Sequence, residues 1–128
     1  MARVLALVPD LLFGSRVQGA LQGAGHEIEL LGDPERLADR LREEPRVAVL
    51  IIDLTSDEVD GAGLVRSLSA AGLLADLRTL GFFSHVDTEQ RKRAEQAGFD
   101  MVVPRSRMAR EGAELVTRLA GPAPPALR

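Results

Sequence analysis

The sequence has no cysteine, no tryptophan and no tyrosine, and phenylalanine occurs only four times. Without thiols there is no disulfide framework and no thiolate metal site, which fits a reducing compartment. The shortage of aromatic rings removes the stacking platforms that single-stranded nucleic acids and sugars usually require. Surplus positive charge is missing too: 16 basic residues face 19 acidic ones, for a net charge of −3, and the basic residues are scattered among the acids. No nucleic-acid footprint appears. Long hydrophobic runs are absent, the N-terminal stretch Val4–Val8 being too short for a signal-peptide core with a cleavage site, and nothing approaches a membrane span. These absences predict a cytoplasmic protein with neither nucleic acid nor membrane as its partner. Pro9–Ser15 contains a single glycine, Gly14, which argues against a dinucleotide fingerprint. Ser84 lacks the flanking glycines of a nucleophile elbow.

What is present is an aliphatic chain of 128 residues, 45% hydrophobic and 27% charged, suited to one domain. That domain is expected over residues 1–120, followed by the Pro-rich tail GPAPPALR at 121–128, which cannot extend a helix. Five strand-like apolar runs alternate with five helix-like segments. The runs are RVLALV (3–8), HEIELL (26–31), VAVLII (47–52), TLGFF (79–83) and FDMVV (99–103). HEIELL alternates polar and apolar residues, as an edge strand does, whereas VAVLII suits the sheet centre. Between the strands, the first helix is expected from Gly14, with Val17, Leu21 and Ala24 on its buried face and Gly25 ending it. Asp33 and Pro34 open the second, which buries Leu37 and Leu41. Leu64, Val65 and Leu68 face inward from the third. Asp87 and Gln90 resemble a capping box for the fourth, closed by Gly98, and the fifth runs over Met108–Ala120. Strands joined by single helices pair in parallel through right-handed crossovers. The expected fold is α/β: a flavodoxin-like (βα)5 doubly wound sheet of order 2-1-3-4-5 with helices on both faces.

Ligands of such sheets collect at the carboxyl ends of the strands, near the point where the order reverses. That rule brings Asp10, Asp53, Ser84, His85 and Arg105 to one crevice. Two carboxylates on neighbouring strands repel one another, and a hard cation between them relieves the repulsion. Mg²⁺, an oxygen-seeking ion held by one or two carboxylates together with phosphate, suits Asp10 and Asp53. A carboxylate can also accept a phosphoryl group while a nearby cation, here Arg105, neutralises the developing charge. Asp10 can equally cap the first helix. Arg105 can equally pair with Asp53 and neutralise it without metal. Asp60-Gly61 reads as turn chemistry, His85 as a loop residue beside the crevice, and His26 lies at the opposite, strand-entering end.

The stretch VLIIDLTSDEVDG, residues 49–61, with the Leu64-Val65 that follows, resembles the CheY-like receiver domains of two-component response regulators. Asp10 at the end of the first strand, Ala97-Gly98 before the fifth, and a basic residue after it are also similar. The resemblance covers residues 3 to 120, and it implies a stand-alone signalling domain. By that likeness Asp53 is the phosphoacceptor of a sensor histidine kinase, Mg²⁺ is the cofactor, and Asp10, Asp53 and the Thr55 carbonyl are its ligands. Ser84 and Arg105 take the hydroxyl and cation positions. Output is by protein–protein contact, with a homodimer through the fourth helix, fifth strand and fifth helix as one form of it. No enzyme activity is implied beyond phosphoryl acceptance and autophosphatase activity. Several positions depart from the pattern. Pro9 replaces one acidic residue, Asp57 stands for the loop proline, and Arg105, shifted by Pro104, stands for a lysine. The hydroxyl position falls on Ser84 or Phe83, and the switch aromatic on Val102. These departures leave two other readings open: a phosphorylation-independent pseudo-receiver with a constitutive binding surface, and a flavodoxin-like small-ligand binder.

Overall fold

Alternation of apolar runs and amphipathic segments resolves into five parallel strands: β1 (Arg3–Leu7), β2 (Glu27–Leu31), β3 (Val49–Asp53), β4 (Arg78–Phe83) and β5 (Met101–Pro104). Their order, β2-β1-β3-β4-β5, is the one expected from the sequence. The computed structural model describes residues 2–84 and 88–121. His85, the Asp87 capping position and residues 122–128 of the tail lie outside the described residues. The strands are linked by α1 (Leu11–Gly23), α2 (Leu37–Arg42), α3 (Gly61–Ala70), α4 (Thr88–Ala97) and α5 (Arg105–Ala120), with a 3-10 turn at Pro34–Arg36 leading into α2. Asp33 caps that turn, accepting from the Glu35 N–H at 2.9 Å. Among the described residues, no helix is long and apolar enough to cross a membrane.

Because side chains alternate across a strand, each strand feeds two core layers. Val4, Ala6, Val49, Ile51, Leu80 and Phe82 pack with residues of α1 and α5, including Val17, Leu21, Met108, Leu115 and Val116. Leu5, Leu7, Leu50 and Ile52 pack on the other side, with Leu37 and Leu41 of α2, Val65 and Leu68 of α3, and Ala94 of α4. β3, central in the sheet, is buried at all five positions, whereas β2 alternates in exposure as an edge strand should.

Four boundaries stand out against expectation. α1 begins at Leu11 rather than Gly14, because the Asp10 carboxylate accepts the Leu12 and Phe13 N–H groups at 3.0 and 3.1 Å. The same helix ends at Gly23, which leaves Ala24 exposed as its cap instead of on the buried face. α5 begins at Arg105 rather than Met108, since Pro104, with φ −65° and ψ 149°, sets the entry of the chain into the helix. The fifth strand starts only at Met101, because Asp100 is engaged by side chain. Its Oδ2 accepts from the Thr79 N–H at 2.8 Å, and its own N–H donates to Thr79 Oγ1 at 3.0 Å. At the strand-entering end, His26 is buried: Nδ1 accepts from the Ala2 N–H at 3.0 Å and Nε2 lies 2.8 Å from Thr117 Oγ1. It ties the start of β2 to α5.

Candidate functional site

The pleat decides which residues meet at the carboxyl edge of the sheet. Asp53 pairs in register with Phe82 and follows the alternation of Val49 and Ile51, so it belongs to the α1–α5 side. Ser84 follows Leu80 and Phe82 to the same side. Phe83 falls one step out, packs in the opposite layer, and carries the Arg91 guanidinium over its ring at 5.7 Å. Ser84, not Phe83, is therefore on the same face of the sheet as Asp53. Val102 also packs in the opposite layer.

Asp53 is only 3% exposed. Its Oδ1 accepts from the Thr55 N–H at 2.8 Å and from the Thr55 hydroxyl at 2.6 Å, a side-chain turn that bends the chain away from the strand end. Above it opens a cleft of about 630 Å³ lined by Phe13, Arg16, Thr55, Ser84, Arg105 and Ser106, with Ala109 at its edge. Of the residues that strand order brings to one crevice, Ser84 and Arg105 line this cleft, and Thr55 lines it with them. Phe13 and Arg16 were not anticipated. They are in the cleft because the Asp10 cap starts α1 early enough to carry both past its mouth.

Arg105 does not pair with Asp53. Its guanidinium donates to Asp10 Oδ2 at 3.2 Å and lies 4.3 Å from the centre of the Phe13 ring, which rests in turn on Phe82 with ring centroids 5.1 Å apart. A stacked, ion-paired guanidinium is held in one orientation, as a lysine ammonium would not be. Asp10 is correspondingly committed: Oδ1 caps α1 and Oδ2 takes Arg105. The Phe13 N–H is the largest influence holding the Asp10 carboxyl below the usual aspartate range; desolvation opposes it, and the Leu12 N–H and the Arg105 charge reinforce it.

That shift predicts a pH effect. A carboxyl whose folded pKa is depressed contributes stability that is present above its unfolded pKa, about 4, and is lost as the pH falls through the folded value. In denaturant titrations on acidification below about pH 4, Asp10→Asn is expected to lose less stability than the parent chain. Equal losses in the two chains would mean that the Asp10 contacts do not form in solution.

The donor set does not fit Mg²⁺ as it stands. Among the described residues, no group of three or more His, Asp or Glu side chains is placed to hold a metal ion. Pro9 supplies no carboxylate, both Asp10 oxygens are occupied, and a guanidinium sits on Asp10 where a cation would approach. Asp53 for its part accepts from the Thr55 N–H and hydroxyl. Asp60, as expected, is a structural residue: it caps α3 through the Gly63 N–H at 3.1 Å and pairs with Arg93 at 3.0 Å. Arg107 pairs with Glu111 on its own helix at 3.5 Å.

No protein-family model matches the sequence, and no curated protein matches it. Solved structures are similar to it in fold. A putative response regulator from Chloroflexus aurantiacus J-10-fl is 18% identical at a TM-score of 0.83, covering 94% of this chain and 98% of that one. The receiver domain of sensor histidine kinase PA1611 from Pseudomonas aeruginosa PAO1, with a magnesium ion coordinated in its active site cleft, is 15% identical at 0.81, covering 94% and 98%. Chemotaxis protein CheY4 of Vibrio cholerae is 19% identical at 0.79, covering 93% and 98%. The chain has the fold of the CheY-like receiver domains.

Proposed function

We propose that the chain is a receiver-like signalling domain of the cytoplasm that acts by protein–protein contact, with Asp53 as the carboxylate offered to a sensor histidine kinase. The observation that carries this reading is the position of Asp53: last residue of the central strand, buried, and beneath a cleft that also holds Thr55, Ser84 and Arg105. In the transfer, an Asp53 oxygen attacks phosphorus while the bond to the donor imidazole breaks, its electron pair leaving on the nitrogen. Charge developing on the phosphoryl oxygens has the Arg105 and Arg16 guanidiniums within the same cleft. The surface of α4, β5 and α5 is the one offered to a partner or to a second copy of the chain. Mg²⁺ would enter this scheme only if Asp10 left Arg105.

The Asp10–Arg105 pair favours a second reading, in which the same surface is presented constitutively and Asp53 serves only to fold the loop after β3. Intact mass after incubation with acetyl phosphate distinguishes the two. The first reading expects one added phosphoryl group that Asp53→Asn abolishes. An unlabelled parent chain, or labelling that persists in Asp53→Asn, would remove Asp53 as the acceptor.

A further inference from the structure

We infer that the α1–α5 side of the cleft is an oxyanion site that works without a divalent cation, taking a phosphate group either free or as part of a small phosphorylated molecule. This goes beyond the role of Asp53 as an acceptor and does not depend on it. The described residues lining the cleft include two guanidiniums, Arg16 and Arg105, and three hydroxyls, on Thr55, Ser84 and Ser106, but no carboxylate.

Among the described residues, the two guanidiniums line the cleft, whereas the nearest carboxylates, Asp10 and Asp53, do not. Asp10 offsets Arg105 through one ion pair at 3.2 Å. Arg16 has no ion pair or side-chain hydrogen bond among the described residues. Asp53 lies below, 3% exposed and held by Thr55. The first turn of α5, a helix of 16 residues, adds to the field: Pro104 provides no side-chain cap, and the turn contains no acid. Its first N–H groups and the positive end of its dipole favour an anion.

Geometry points the same way. Phe13 and Asp10 fix the Arg105 guanidinium on two sides, and its remaining N–H groups form a pre-set donor fork of the kind that matches phosphate oxygens. A divalent cation entering this cleft would meet two like charges, whereas an oxyanion would meet two opposite charges and the hydroxyl donors of Ser84 and Ser106. The volume of about 630 Å³ exceeds the needs of inorganic phosphate and suits a small phosphorylated molecule.

Titration of the full chain with inorganic phosphate and, separately, with adenosine monophosphate, both in excess chelator and followed by amide chemical shifts, tests the inference. Saturable binding at Thr55 and at the first turn of α5 is expected, unchanged when Mg²⁺ replaces the chelator. Arg16→Gln, which alters an exposed side chain with no ion pair among the described residues, should weaken it roughly tenfold or more, as for the loss of a charge-assisted hydrogen bond. Asp53→Asn should bind equally well or more tightly, which separates this site from phosphoryl acceptance. Tighter binding of the nucleotide would assign the rest of the cleft to an organic moiety, and equal binding would assign recognition to the phosphate alone. Absence of saturation at millimolar phosphate and nucleotide, a requirement for Mg²⁺, or indifference to Arg16→Gln would overturn the inference.

Discussion

Truncation of Phe82 to alanine is expected to destabilise the chain by about 3–5 kcal/mol, the usual cost of emptying a large aromatic site in a core. Phe82 is fully buried in the middle of the α1–α5 layer, and its neighbours come from different elements of the sheet and helices, so they are poorly placed to collapse into the void. For a chain of this size the loss corresponds to a fall in melting temperature of roughly 10 °C or more. The substitution has a second consequence. Phe13 rests on Phe82, and Arg105 rests on Phe13, so the cavity removes the backing of the stacked guanidinium. Thermal unfolding measures the first effect, and the amide shifts of the first turn of α5 report the second. A melting temperature within a degree or two of the parent chain would mean that the core is not packed as described.

Gly61→Ala is expected to cost about 1–3 kcal/mol by overpacking. A Cβ at this position would lie 2.6 Å from Leu54 Cδ2 and 2.9 Å from Ile52 Cγ2. Leu54 and Ile52 are themselves buried in the layer that packs on α2, α3 and α4, so neither can step aside without disturbing it. The relief open to the chain is a shift of the N-terminus of α3, which pulls on the loop that begins at Asp53. Denaturant unfolding checks the energy, and changed amide shifts at Thr55 check the transmission. This is the physical content of the Asp60-Gly61 pair: the aspartate caps α3 and pairs with Arg93, and the glycine allows the helix to start against the strand.

The fold was legible in the sequence because hydrophobic periodicity survives without tertiary detail. Continuous apolar runs marked the strands buried on both faces, and the alternation of HEIELL marked the edge. The helix starts were less legible. Both α1 and α5 begin earlier than their apolar faces suggest, one because of the Asp10 cap and the other because Pro104 sets the entry angle. The late start of β5 depends on the exchange of hydrogen bonds between Asp100 and Thr79, residues 21 apart in sequence.

At the site, strand order was sufficient to bring Ser84 and Arg105 to one cleft. Pairing was not deducible in the same way. Whether Arg105 reaches Asp53 or Asp10 is decided by the start of α5 and by the Phe13 ring on which the guanidinium lies, and neither is a property of spacing along the chain. Resemblance to receivers suggested a metal between carboxylates. The departures at Pro9 and Arg105 were the visible sign that positive charge reaches Asp10 from the protein itself.

The central claim is that the Arg105 guanidinium, and not a divalent cation, meets the charge of Asp10 beside Asp53. Titration with Mn²⁺, read as paramagnetic broadening of backbone amides, tests it most directly. No selective broadening of Leu12, Phe13 or Thr55 is expected in the parent chain at submillimolar Mn²⁺, and selective broadening is expected there once Arg105→Ala frees Asp10. Selective, saturable broadening of those amides in the parent chain would contradict the claim.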